Sequence, residues 1–185
     1  MQRLTLRDQA GRKYLNRAER RAFRRVANQL AERDRLFCLT LLFTGCRITE
    51  ALNLVPASID GGDGVLVIES LKKRRRGVLR TVPVPDWFCD QLAGLTVPEA
   101  GTALFSFCRH TGNRIVKSVM ATAGICGPQA TAKGLRHGFG VACVQHNIPL
   151  NLIQRWLGHA SAETTAIYLE AVGDEERQFA SRLWT

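Results

Sequence analysis

No apolar run in this sequence approaches the roughly 18 residues that a membrane-crossing helix needs, so no helical span is expected. The first residues, MQRLTLRDQAGRK, are basic but lack an apolar core, so they do not read as a secretory leader. Cysteine never occurs as C-x-x-C. Cys38, Cys46, Cys89, Cys108, Cys126 and Cys143 stand far apart, which argues against a zinc site. Several lie among apolar residues, as reduced core thiols of a cytoplasmic protein would. Acidic residues are scarce, 16 Asp and Glu against 26 Lys and Arg. The resulting net charge of +10 favours nucleic acid as partner over an acidic membrane surface. Hydrophobic residues make up 45%, which excludes a disordered tail, and 185 residues suffice for one domain with a real core.

The pattern predicts a mostly helical α+β domain with a small antiparallel sheet. Residues 1–15 read as a basic N-terminal arm, frayed over its first 14 residues, and residues 16–185 as one domain. In NRAERRAFRRVANQLAER, Asn16 is a fitting N-cap and Glu19 its capping-box partner. Ala22, Phe23, Val26, Ala27 and Leu30 recur at helical spacing, leaving arginines for an outer face. A second, core helix is expected from about Asp34 to Thr44, stopped by Gly45. RITEALNL restarts a short helix. Val65–Ser70 reads as a buried strand and Leu79–Pro85 as its hairpin partner, with Pro83 and Pro85 marking an edge or an end. Asp86 is expected to cap a following helix. Loops with one short element should cover about 94–113, and helices 114–123, 134–147 and 149–157. Residues 161–184 read as two helices broken near Gly173.

Four segments carry chemistry. In TGCRITEAL, a turn after Gly45 presents Arg47, a permanent cation that needs an anion to meet. The hairpin tip holds Lys72, Lys73, Arg74, Arg75 and Arg76 in a row, suited to a phosphate backbone or to a solvated turn. In TAKGLRHGFGVA, Lys133 and Arg136 are three apart on one helical face. Gly134, Gly138 and Gly140 are poor helix formers, which suggests close approach of another backbone. Finally, LIQRWLGHASAETTAIYLEAVG ends one helix at Gly158, places His159 on the turn, offers Ser161 as a cap, and carries Tyr168.

In order, these boxes resemble the catalytic domain of the tyrosine recombinases, the phage-integrase family. TGCRITEALNL, the LKK hairpin leading to RTVPVP, GLRHGFG and LGHASAETTAIYLEAVG span roughly Leu36–Gly173. The last box is the most specific. The resemblance implies a catalytic fold shared with type IB topoisomerases. It implies cleavage and rejoining of DNA through a 3′-phosphotyrosine on Tyr168, with no metal or nucleotide cofactor. Arg47 and Arg136 would meet the nonbridging oxygens of the scissile phosphate, which suits their planar forks. His159 would hydrogen-bond the same group, and Glu50 would hold the Arg47 guanidinium. Lys72, with Lys73 as alternate, would protonate the leaving 5′-oxygen. Lys73 and Arg74–Arg76 would also bind DNA. Double-stranded DNA is the implied partner, bound by a homotetramer on synapsed sites, in the cytoplasm with the nucleoid.

One position and the length depart from the family pattern. Lys133 stands where the catalytic His is common; a protonated lysine there could stabilise phenolate and phosphate electrostatically, and could act as base for Tyr168 only if burial depressed its pKa. Lysine here also resembles type IB topoisomerases, so a topoisomerase remains the alternative reading, as does an inactive DNA-binding regulator on the same fold. Only about 35 residues precede the boxes, too few for the usual N-terminal domain that closes the clamp. The sequence is therefore similar to catalytic-domain-only members, or is a fragment, or works with an accessory DNA-binding protein. The tail DEERQFASRLWT reads as an amphipathic helix for its own core or a neighbouring protomer. His110, His137 and His146 match no box, with His137 left to packing or support of the site. Tyr14 is no nucleophile candidate, and Trp156 reads as core.

Overall fold

A computed structural model describes residues 6–8, 11–71, 77–99 and 101–169. Helix α1 (Arg17–Ala27) starts where its capping box dictates. Asn16 Oδ1 accepts from the Glu19 N–H at 2.8 Å, and a Glu19 carboxylate oxygen accepts from the Asn16 N–H at 2.9 Å. Phe23 and Ala27 go inward, while Arg17, Arg21, Arg24 and Arg25 are exposed as expected. Arg20 departs from that outer face: its Nη2 donates to the Leu42 carbonyl at 3.1 Å. The helix is shorter than its apolar pattern suggested, because the chain turns at Asn28–Leu30.

Helix α2 (Glu32–Thr44) is buried from Leu36 through Leu42 and forms the centre of the main core. It packs against α1 and against α6 (Ala132–Gln145). Gly45, with φ of 61°, ends α2 in the left-handed conformation that glycine adopts without penalty. Helix α3 (Ile48–Leu52) then restarts at Arg47.

The sheet has three antiparallel strands rather than a lone hairpin. Strand β4 (Val65–Glu69) lies between β3 (Ile59–Asp60) and β5 (Leu79–Pro83). β3 is too short to show a period in sequence. Alternation along β4 and β5 buries Leu66, Ile68, Arg80 and Val82, with Leu66 opposite Val82 and Ile68 opposite Arg80. β4 is thus half-buried rather than wholly so. β5 is an edge strand that ends at Pro83, in keeping with a residue that cannot donate to a ladder. The basic tip, residues 72–76, lies outside the described residues.

Helix α4 (Asp86–Ala93) begins at Asp86, with Pro85 rather than Asp86 at the cap position. Helix α5 (Arg109–Thr122) starts five residues earlier than expected, after a looped stretch. Helices α6, α7 (Leu150–Leu157) and α8 (Glu163–Ala166) complete the described chain. The expected break at Gly173 and the amphipathic tail lie outside the described residues.

The N-terminal segment corrects the expectation of a frayed arm. β1 (Arg7–Asp8) and β2 (Gly11–Arg12) form a small hairpin. Leu6, Tyr14 and Leu15 are buried. Arg12 ties the segment to α1 by donating to both Glu19 oxygens, at 2.7 and 2.8 Å. A second apolar cluster joins Leu6 and Tyr14 to Phe139, Ile153, Leu157, Ile167 and Tyr168. Helix α6 therefore lies between two cores, and its glycines allow both approaches. A Cβ on Gly138 would stand 2.7 Å from the Leu15 carbonyl oxygen, and one on Gly140 would stand 2.6 Å from the Tyr168 ring. The first is the backbone approach expected from sequence; the second is an aromatic ring.

Candidate active site

Arg47 occupies the N-cap position of α3, and Glu50 secures it from one turn on. The carboxylate of Glu50 accepts from the Arg47 main-chain N–H at 2.9 Å and from Arg47 Nη1 at 2.5 Å. It also accepts from Arg80 Nη2 at 2.7 Å. The Glu50 side chain is fully buried and that of Arg80 is 4% exposed. Burial would raise the Glu50 pKa; Arg80, Arg47 and the main-chain hydrogen bond outweigh it and hold the group below its ordinary value.

Arg80 extends this network. Its Nη1 donates to Ser70 Oγ at 2.9 Å and its Nε to the Trp156 carbonyl at 2.8 Å. It thus joins three regions: α3 with Arg47, the strand end two residues before Lys72, and the turn that leads to His159. Gly158 (φ of 64°) ends α7 against this guanidinium, where a Cβ would lie 3.0 Å from Arg80 Nη1.

Arg136 is 8% exposed on α6. Nη1 donates to the Gly45 carbonyl at 2.8 Å, and Nη2 to the Leu157 carbonyl at 2.7 Å. One guanidinium therefore pins the turn before Arg47 to the turn before His159. Burial, then the nearby Arg47, lowers its pKa to about 10, so it remains a cation at neutral pH. Around Glu50 and Arg136 stand three guanidinium groups and one carboxylate. Such a surplus of positive charge draws an anion.

Tyr168 follows α8 and is completely buried. Its ring stacks on His159, with centroids 6.1 Å apart and planes 16° apart. His159 Nδ1 lies 2.9 Å from Thr165 Oγ1. Ser161 Oγ accepts from the Glu163 N–H at 3.1 Å, but Ala162, not Ser161, takes the cap position of α8. Burial, Arg136 and Arg47 lower the His159 pKa to about 3, so the ring is neutral. Burial pushes Tyr168 up to about 12, against the opposing pull of Arg136 and Arg47. The buried phenol is held protonated beside a cation cluster.

Arg47, Arg136, His159 and Tyr168 are thus brought together, with Glu50 where it can hold Arg47. Lys133 is exposed on the first turn of α6, so the burial a lysine base would need is not met. Lys72, Lys73, Arg74, Arg75 and Arg76 lie outside the described residues. His110 and His146 are exposed. Trp156 packs between the two cores, as its core assignment required.

Arg80 escaped the sequence reading, and His137 entered it only as packing or support of the site. Arg80 carried a signal: it shares a strand face with Val82, and an inward-facing arginine must have a partner. His137 also carried one, since α6 is buried from Gly134 through Val141 and any polar group there needs a bond. That bond is to the nucleophile candidate, His137 Nδ1 to Tyr168 Oη at 3.1 Å.

Comparison with known proteins agrees with these boxes. The Phage integrase family model matches residues 13–174. Tyrosine recombinase XerA of Thermococcus kodakarensis is 25% identical over 176 residues, covering 90% of this chain and 61% of that protein. XerA of Pyrococcus furiosus is 29% identical over 161 residues, covering 81% of this chain and 54% of that protein. The chain thus spans between half and two thirds of the length of these curated relatives. Among solved structures, a crystal structure of XerA recombinase is similar with a TM-score of 0.75 at 23% identity, covering 91% of this chain and 64% of that one. The catalytic domain of bacteriophage HP1 integrase gives 0.66 at 21% identity, covering 85% and 86%. These structures share the fold, a helical catalytic domain with a small antiparallel sheet. The chain belongs to the phage integrase family.

Proposed function

We propose that this chain is the catalytic domain of a site-specific recombinase, which cleaves and rejoins double-stranded DNA through a 3′-phosphotyrosine. The observation that carries this reading is the convergence of two guanidiniums and an imidazole on one buried tyrosine. Tyr168 attacks the scissile phosphate. Arg47, Arg136 and His159 hold its nonbridging oxygens and stabilise the charge that develops there. Glu50 keeps the Arg47 fork in place. Lys72, or Lys73, protonates the departing 5′-oxygen, a contribution of about 10²–10⁴-fold for a general acid. The ester to tyrosine conserves the phosphodiester energy, so rejoining needs no nucleotide and no metal.

Relatives and neighbours support this reading. The matched relatives are named tyrosine recombinases. A similar structure, XerH, was solved on palindromic difH DNA after cleavage, with a TM-score of 0.75 at 23% identity over 98% of this chain and 57% of that one. The net charge of +10 and the basic hairpin tip, Lys73 and Arg74–Arg76, suit a DNA backbone. By the same reading, the domain works on synapsed sites as a homotetramer with the nucleoid DNA. An accessory DNA-binding protein closes the clamp around the DNA.

The test is a nicked suicide duplex, drawn from DNA flanking the coding sequence, incubated with the protein in EDTA and then denatured. A covalent protein–DNA band is expected, and its loss in Tyr168→Phe. DNA binding without a band in the parent protein would make the chain a regulator on this fold. Relaxation of a plasmid lacking any recombination site would make it a topoisomerase.

A further inference from the structure

We propose that His137 is the proton acceptor for Tyr168 in the cleavage step, a role that rests on Tyr168 being the nucleophile. The geometry comes first. Helix α6 supplies both a floor for the tyrosine ring at Gly140 and, one turn earlier, a nitrogen for its hydroxyl. His137 is 7% exposed, its Nδ1 is 3.1 Å from Tyr168 Oη, and the two ring centroids are 5.8 Å apart. A distance of 3.1 Å is within the reach required of a general base.

The other groups around the phenol are unsuited to the task. Arg47 and Arg136 are cations that do not accept protons. Lys133 is exposed. His159 offers Tyr168 the face of its ring, and its Nδ1 is engaged with Thr165. His137 alone among these presents a ring nitrogen to the hydroxyl. For Nδ1 to accept, the neutral ring carries its proton on Nε2.

The step balances as follows. The Tyr168 O–H bond breaks and its proton passes to His137 Nδ1, giving imidazolium. The freed oxygen lone pair forms the bond to phosphorus. The bond from phosphorus to the 5′-oxygen breaks, and that oxygen takes a proton from the hairpin lysine. Rejoining runs the transfers in reverse.

The surroundings make the transfer depend on DNA. His137 faces Lys133 and Arg136 from its own helix, Lys13 from the N-terminal segment, His159 from the turn before α8, and Tyr168 after it. Burial and these cations lower its pKa to about 4, so it is neutral and open to a proton at pH 7. The same cations oppose imidazolium until a phosphodiester brings a negative charge among them. Without DNA the pair stays un-ionised, as a nucleophile in storage should.

The test is the pH dependence of adduct formation on the suicide duplex, from pH 6 to 9, in wild type and His137→Asn. Asparagine Oδ1 can keep the hydrogen bond but cannot take the proton. The wild-type rate should stay level, since His137 is neutral and Tyr168 protonated across that range. The variant should fall by about 10²–10⁴-fold at pH 7 and recover about tenfold per pH unit. His137→Gln, read in the same way, serves if thermal melting shows that the first variant does not fold. A variant profile that is lower but parallel to wild type would overturn the role and make His137 a packing residue. A faster variant would overturn it and make His137 a latch on Tyr168. Wild-type protein that forms no adduct at any pH would overturn the nucleophile reading and this one with it.

Discussion

The two halves of the candidate site are built by different physics. On the cation side every guanidinium is held by directed bonds: Arg47 by Glu50, Arg80 by Glu50, Ser70 and Trp156, and Arg136 by Gly45 and Leu157. On the tyrosine side Tyr168 sits among apolar residues, stacks on His159, and has its hydroxyl 3.1 Å from Nδ1 of His137, a neutral histidine. The difference follows from the chemistry of the two groups. A cation can be buried at a site only if carboxylate or carbonyl oxygens keep it solvated. A phenol stays protonated where that solvation is withheld, and α8, four residues long, gives it a light anchor.

The comparison breaks most sharply at Glu50. Replacing it by Gln leaves Arg80 buried and Arg47 half-buried without their shared carboxylate. Removing one partner of a buried pair costs roughly 3–5 kcal/mol. Urea denaturation of Glu50→Gln should show a loss of that order. A loss below about 1 kcal/mol, the range of a surface ion pair, would mean that the network is not a buried one.

Gly140→Ala attacks the other half. The new Cβ would enter the Tyr168 ring at 2.6–2.7 Å, so the ring must move or the helices must part. Overpacking of this kind costs roughly 1–3 kcal/mol. Only two tyrosines exist, so in a Tyr14→Phe background nitration reports on Tyr168 alone. Nitration should quicken in the alanine variant. Unchanged nitration with unchanged stability would show that the ring does not lie on α6.

Arg80→Lys is a smaller perturbation of the cation side. It keeps the charge beside Glu50 but lacks the planar fork that reaches Ser70 and the Trp156 carbonyl. A loss of about 1–2 kcal/mol in urea is expected, one or two hydrogen bonds' worth. Tyr168 nitration should not change. If it does, the two halves are mechanically joined through α7.

The same division explains what could be read in the sequence. The capping box of α1, the Gly45 stop, the strand ending at Pro83 and the Gly-His turn are local chemistry, legible within a few residues. Arg47, Glu50, Arg136, His159 and Tyr168 came as a set, through the resemblance of their boxes to the family's. What was not legible depends on distant partners. Arg80 acquires its meaning from Glu50, 30 residues away, and His137 from Tyr168, 31 residues away. The N-terminal segment looked like a solvated arm because Leu6, Tyr14 and Leu15 are too few to show a period. They bury because a two-residue hairpin and the Arg12–Glu19 bond fold them onto α1 and α6. β3 was missed for the same reason of length.

The mildest way to separate the halves is pH. Glu50 has a folded pKa below its ordinary value of 4.5, so the stability it contributes is present above that value. It is lost only as pH falls below 4.5, through the folded pKa. His137 and His159 are also lowered, from 6.5 to about 4 and about 3. A histidine kept neutral in the fold but free to protonate when unfolded favours unfolding below pH 6.5. Its stability is intact above 6.5 and is lost progressively down to the folded value. The slope is at most about 1.4 kcal/mol per pH unit for one group, and less for the partly exposed His159. Urea midpoints between pH 7.5 and 5 should therefore decline through the tyrosine side first. In His137→Asn the decline over that window should become shallower. If the variant and wild type fall in parallel from pH 6.5 to 5, His137 is not buried as a neutral group, and the storage of Tyr168 rests on packing alone.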